Sequence, residues 1–95
     1  MSKRIDRKFE KIGFIKRMES MFGVMYQRDV DDFYTHTIYL GHKIDGQETI
    51  ESSMGLRDTR TADSYAGLTM YETKLCIKKM KSKGWKVKKG QNYEQ

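Results

Sequence analysis

Proline is missing from this chain, cysteine occurs once (Cys76) and histidine twice (His36 and His42) among 95 residues. A lone cysteine excludes an intramolecular disulfide, and no Cys/His pair has zinc-site spacing, so no metal or other cofactor is expected. Both features fit a reducing compartment and a cytoplasmic protein. No apolar run approaches the roughly 18 residues of a membrane span. Nor does an apolar stretch follow the basic start (Lys3, Arg4, Arg7, Lys8), so neither membrane insertion nor secretion is expected. A glycine-rich phosphate loop is absent too, since Gly41, Gly46, Gly55 and Gly67 stand singly. With no repeat and no low-complexity tract, this length fits one domain that buries roughly 60–70% of its unfolded surface around a modest core. That domain is expected over 1–85, followed by a basic, flexible tail over 86–95.

Negative charge is missing where it would matter most. The sixteen residues from Lys74 to Lys89 hold eight lysines (Lys74, Lys78, Lys79, Lys81, Lys83, Lys86, Lys88, Lys89) and no carboxylate. The net charge of +6 therefore hides a partition. Residues 3–17 carry seven Lys/Arg against two acids, 18–73 four against ten, and 74–95 eight against one, so the ends stand at +5 and +7 and the middle at −6. Such a distribution orients a molecule toward a charged partner.

Ser2 can cap a short helix over 2–13. Ile5, Phe9 and Ile12 recur at i, i+4, i+7, and Gly13 supplies a left-handed stop that lets Phe14 pack back on Phe9. From Met21 the period changes to two, with Phe22, Val24 and Tyr26 alternating with Gly23, Met25 and Gln27, which reads as a strand. The residues Asp29–Asp32 form a turn, Phe33 to His42 a second strand, and Gln47 to Leu56 a third, with Asp45-Gly46 marking the hairpin between the last two. A two-residue Asp-Gly loop would put Ile50 and Met54 on the face away from Ile38 and Leu40. A three-residue loop, Ile44-Asp45-Gly46 with a bulge at Gly46, instead pairs Leu40 with Ile50, Ile38 with Ser52 and His36 with Met54, gathering the apolar side chains on one face. The bulged turn is expected.

Residues 57–67 (RDTRTADSYAG) are polar and aperiodic and read as a long loop. Thr69 and Glu72 then form a capping box that opens a second helix, and Gly84 closes it with Trp85 placed to contact Met80. Its buried stripe is expected to be Met70, Thr73, Cys76, Ile77 and Met80, leaving Tyr71 and Leu75 outside among the lysines. The order α-β-β-β-α then gives an α+β, two-layer sandwich: a three-stranded antiparallel meander with both helices on one face. Positive charge gathers on the helix layer, acid on the open sheet face and the loops.

Catalytic chemistry finds little to use. Cys76 falls on the buried stripe, where a thiol is raised in pKa and inert. His36 and His42 lie roughly 20 Å apart along one strand, too far to share a metal. Asp31-Asp32 suits a turn better than acid/base work. An enzyme, and hence a small-molecule substrate, is not expected. The expected partner-binding residues are Tyr71, Lys74, Leu75, Lys78, Lys79, Lys81, Lys83, Lys86, Lys88 and Lys89, with Arg4, Arg7 and Lys8. Tyr71 and Leu75 would form an apolar anchor with a cationic rim, suited to an acidic protein surface. Lysine contacts phosphate diffusely, and the last helix lacks the Arg, Asn or Gln that read bases, so direct DNA or RNA binding would be weakly specific.

The α-β-β-β-α order resembles that of double-stranded-RNA-binding domains. Their second helix opens with a basic phosphate-gripping motif, where this one opens Thr69-Met70-Tyr71-Glu72. The segments KRIDRKFEKIGF (Lys3–Phe14), FGVMYQRD (Phe22–Asp29) and GLTMYETKLCIKKMK (Gly67–Lys81) are similar to short uncharacterised prophage proteins of Gram-positive bacteria. That resemblance covers most of the chain and carries no catalytic motif. It implies a phage accessory protein in the host cytoplasm, of the kind that inhibits or modulates host nucleases, anti-CRISPR proteins included. The leading expectation is a non-enzymatic binding protein engaging a nucleic-acid-handling host protein or its nucleic-acid complex. The alternatives are a weakly specific DNA- or RNA-binding module using the last helix, and an oligomer built through free sheet edges.

Overall fold

The computed structural model describes residues 2–42, 47–57 and 62–85. Its elements run α1 (Ser2–Lys11), β1 (Ile15–Glu19), β2 (Gly23–Asp29), β3 (Tyr34–His42), β4 (Glu48–Leu56), β5 (Ala62–Tyr65) and α2 (Met70–Ser82). The strands form one antiparallel sheet in sequence order. The α+β class is as expected, but the meander has five strands, not three. Both extra strands are edges without apolar alternation. All of β1 (IKRME) is exposed, and a bulge between Lys16 and Met18 breaks its period. The strand β5 lies inside the stretch read as a loop and is held through pairing with Ser53, Met54 and Gly55. Short, polar edges of this kind leave almost no periodic signal, and they also discourage edge-to-edge association.

The central register is the one the apolar pattern requires. Leu40 pairs with Ile50, Ile38 with Ser52 and His36 with Met54; the Ile44-Asp45-Gly46 turn that would set it lies outside the described residues, as does the tail 86–95. At the other end of β3, Asp31 Oδ1 accepts from the backbone N–H groups of Phe33 and Tyr34, at 2.7 and 2.8 Å, closing the expected turn.

Helix α1 ends as its sequence demands. Gly13 takes φ +95°, its N–H donates to Glu10 O, and Phe14 N–H donates to Phe9 O at 2.9 Å. The Phe9 and Phe14 rings meet edge to face at 6.2 Å, and Phe9 stacks on Tyr26 at 3.9 Å. Around them the core collects Val24, Ile38, Leu40, Leu75, Cys76, Met80 and Trp85 from β2, β3 and the α2 segment. Each such side chain contributes about 1.5–3 kcal/mol of burial.

Candidate functional site

Helix α2 opens with the expected capping box. Glu72 N–H donates to Thr69 Oγ1 at 3.0 Å while Thr69 N–H donates to Glu72 Oε1 at 2.8 Å. Its rotation about its own axis is not the expected one. The buried residues are Glu72, Leu75, Cys76, Lys79 and Met80, whereas Met70 is 74% exposed. At 100° per residue the buried stripe is turned by roughly a quarter turn from the apolar one. Two charged side chains account for this, because each meets its counter-charge under the helix. Glu72 lies 3.7 Å from Arg28, and Lys79 is held by acids of α1 and β1.

This rotation revises the expected anchor. Leu75 belongs to the core and Lys79 is fully buried, so neither is a surface contact. Tyr71 remains half-exposed, and Lys74, Lys78 and Lys81 are exposed beside it. These four fall within an arc of about 80° on the side of α2 away from the sheet. Lys83 is tied down: its ammonium donates to Glu19 Oε2 at 3.0 Å and lies 5.5 Å from the Trp85 ring. Lys86, Lys88 and Lys89 lie outside the described residues. On α1, which packs beside α2, Arg4 and Arg7 are exposed and Lys8 is half-buried; Lys3 and Lys11 join the exposed set. The outward surface of the two helices thus carries Lys3, Arg4, Arg7, Lys11, Lys74, Lys78 and Lys81 against one carboxylate, Glu10.

The acids follow the expected division in part: Asp31 and Asp32 sit in the β2–β3 turn. On the open face of the sheet the paired strand residues include only Asp29 and Glu51, and Asp29 is bound to Arg57 at 3.2 Å. Of the other described acids, Glu10 is exposed on α1, while Asp6, Glu19, Glu48 and Glu72 meet basic side chains between the helices and the sheet. Asp6 and Glu19 form the largest group, with Lys16, Lys79 and Lys83 as cations at 2.6–3.2 Å. Tyr26 adds a hydroxyl donated to Asp6 Oδ1 at 2.6 Å. Burial alone would raise both carboxyls, but the hydrogen bonds outweigh it: Glu19 is held down to about 2, and Asp6 is lowered as well. The same contacts, with Glu19 first, raise Lys16, while burial and Asp6 push Tyr26 up. The cluster neutralises lysines that would otherwise add to the basic surface. It went unread because its members are far apart in sequence.

One pairing with catalytic potential also escaped the sequence. His36 Nε2 lies 2.6 Å from Ser52 Oγ, and both residues are buried. Arg28 decides what this pair can do. Its guanidinium only donates, so His36 Nδ1, 3.4 Å from Arg28 Nη2, accepts, and the ring proton sits on Nε2, donated to the serine. An activated serine needs the reverse, an unprotonated nitrogen facing its hydroxyl. Burial, aided by Arg28, also lowers the His36 pKa and keeps the ring neutral. The pair therefore serves to satisfy a buried histidine. Cys76 is equally unreactive by environment: burial, with Glu72 nearby, pushes its thiol up to about 12. His42 stacks on Trp85 at 5.1 Å and bonds Glu48 at 2.7 Å, pinning the end of the helix segment to the sheet. Among the described residues no three His, Cys, Asp or Glu side chains could share a metal ion, and no helix is long and apolar enough to cross a membrane.

No family model matches the sequence, and neither the curated proteins nor the solved structures provide a match.

Proposed function

We infer that the protein is a binding module whose helix layer engages the phosphate backbone of a nucleic acid without reading its sequence. The supporting observation is the outward helix surface, with seven basic residues against one acid, while Lys79, Lys83 and Lys16 are neutralised beneath it. The two helices are neighbours, so their exposed basic rows lie side by side on one surface. The exposed side of α2 holds Lys74, Lys78, Lys81 and Tyr71 and no Arg, Asn or Gln, which favours diffuse charge contact over base recognition. Binding to duplex DNA and RNA at about 50 and 200 mM salt tests this. Four or more phosphate contacts weaken affinity about a hundredfold or more across that range. Absence of binding at the lower salt sinks the proposal.

A second reading is a phage-type accessory protein, anti-CRISPR-like, that inhibits a nucleic-acid-handling host protein. The half-exposed Tyr71 beside Lys74 supports it, as an aromatic anchor with a cationic rim suited to an acidic surface, along with the prophage resemblance. Burial of Leu75 leaves that anchor smaller than the sequence promised. Replacing Tyr71 by Ala separates the two: it leaves backbone binding nearly unchanged but removes a protein contact centred on the ring.

A further inference from the structure

One end of the sheet gathers the start of α1 and the finish of α2. Helix α2 starts where Glu72 meets Arg28 and finishes where Lys83 meets Glu19 and Trp85 stacks on His42. Helix α1 runs the other way: Ile12 O, past its last turn, accepts from Arg28, whereas Asp6 reaches Lys16 and Lys79. The first turn of α1, with Lys3 and Arg4, and the last turn of α2, with Lys81, therefore lie toward the same end, where Gly23 pairs with Gly41. The acids Asp29, Asp31 and Asp32 lie at the opposite end, beyond the Arg28–His36 pair. The turn joining β1 to β2 closes the basic end. Ser20 N–H donates to Gly23 O at 2.8 Å, and Ser20 Oγ accepts from the N–H groups of Phe22 and Gly23 at 3.2 and 3.1 Å, which fixes a two-residue loop. Such loops ordinarily hold Gly, Asn or Asp. This one holds Met21, 76% exposed, and Phe22, 54% exposed. Glu19, just before the turn, is already neutralised by Lys16, Lys79 and Lys83. The result is a narrow apolar tip, held by its own hydrogen bonds, at the basic end of the helix layer.

We propose that this tip is a wedge for duplex DNA: cations of the helix layer hold the backbone while Met21 and Phe22 enter a base step from the minor groove and kink the duplex. The inference rests on the backbone-binding reading and adds to it the kind of nucleic acid and the shape it takes. Met and Phe are among the side chains that open base steps in this way, and the contact depends on deformability more than on base identity. Opening a step costs stacking, which phosphate contacts beside it offset; Lys3, Arg4 and Lys81, all exposed, stand at the end where the tip projects. Duplex DNA fits better than duplex RNA, because pyrimidine–purine steps of DNA unstack readily. It also fits better than a lipid surface. Interfacial helices spread a broad apolar face over the headgroups, whereas two side chains on one tight turn form a blade of the size that a base step admits.

Energy transfer between fluorophores at the two ends of a DNA duplex of about 20 base pairs with a central TA step, bound by the full chain at about 50 mM salt, tests the proposal. Transfer should rise on saturation, because a kink of roughly 20–90° shortens the end-to-end distance. Met21→Ser combined with Phe22→Ser should abolish the rise and leave the dependence of affinity on salt unchanged, since the phosphate contacts are intact. Both positions are exposed, so this variant keeps its fold, as circular dichroism should show. Phe22→Leu, which stays apolar, should retain most of the rise. Binding without a rise, or a rise that survives in the double variant, overturns the wedge and leaves backbone binding standing; absence of binding at this salt overturns both. Sedimentation with vesicles of phosphatidylserine and phosphatidylcholine that the double variant loses, with the DNA unbent, would assign the tip to a lipid surface and overturn the proposal too.

Discussion

The ammonium of Lys79 lies 3.0 Å from Asp6 Oδ1 across 73 residues of sequence, and it joins the two helices to β1 through Glu19 at 3.2 Å. Its loss leaves Asp6 with Lys16 and Tyr26 and Glu19 with Lys16 and Lys83, but it removes the fully buried cation of the group together with its packed stem. Lys79→Ala is therefore expected to cost about 3 kcal/mol, against about 0.5 kcal/mol or less for Lys78→Ala one position away on the exposed row. Urea midpoints of the two variants check this. Equal midpoints would mean that α2 is not rotated as described.

The same cluster sets an acid limit on the fold. A carboxyl whose folded pKa is depressed contributes stability above its unfolded pKa and loses it as pH falls through the folded value. For Glu19 that window runs from about 4.5 down to about 2, and the lowered Asp6 acts in the same direction. The thermal midpoint should therefore stay level from neutral pH to about pH 5 and then fall steadily. Glu19→Gln should lower the neutral plateau and flatten the fall; a Gln variant with an undiminished acid slope would assign the effect to other groups.

These two effects mark the boundary of what the sequence discloses. Periodicity located β2, β3 and β4, and the pairing of Leu40 with Ile50 followed because a one-residue slip would turn every apolar side chain to water. Local chemistry located the Thr69–Glu72 box and the Gly13 and Gly84 stops, since each involves residues within a few positions of one another. By contrast, the orientation of α2 depends on where Lys79 and Glu72 find counter-charges. Asp6, Glu19 and Arg28 are brought there only by the tertiary fold, so hydropathy placed both residues outside. The expected Tyr71–Leu75 anchor loses Leu75 to the core for that reason. Edge strands β1 and β5 escaped because pairing holds them, not an apolar face of their own.

Cys76 offers a check on the core that is independent of charge. Its thiol is fully buried and raised to about 12, so at neutral pH almost no thiolate exists to react. An aromatic disulfide reagent should leave the native protein untouched over minutes and modify one thiol at once in denaturant. Rapid modification under native conditions would place Cys76 at the surface and contradict the packing of α2.

On the open face, Tyr39 lies across the cross-strand pair Gly23 and Gly41. A Cβ on Gly23 would collide with Tyr39 Oη, and one on Gly41 would come within 3.2 Å of the same ring and 2.9 Å of Thr49 Oγ1. Backbone conformation is not the obstacle at Gly23, which is an ordinary strand residue; the obstacle is the ring. Gly23→Ala should thus cost about 1–3 kcal/mol, as overpacking does. In a Tyr39→Ala background the obstacle is gone, and the same substitution should become neutral or stabilise by about 0.4–1 kcal/mol through the less flexible unfolded chain. A double-mutant cycle built from urea midpoints measures that reversal. If Gly23→Ala costs the same in both backgrounds, the glycine is required by the strand itself and the ring does not rest on it.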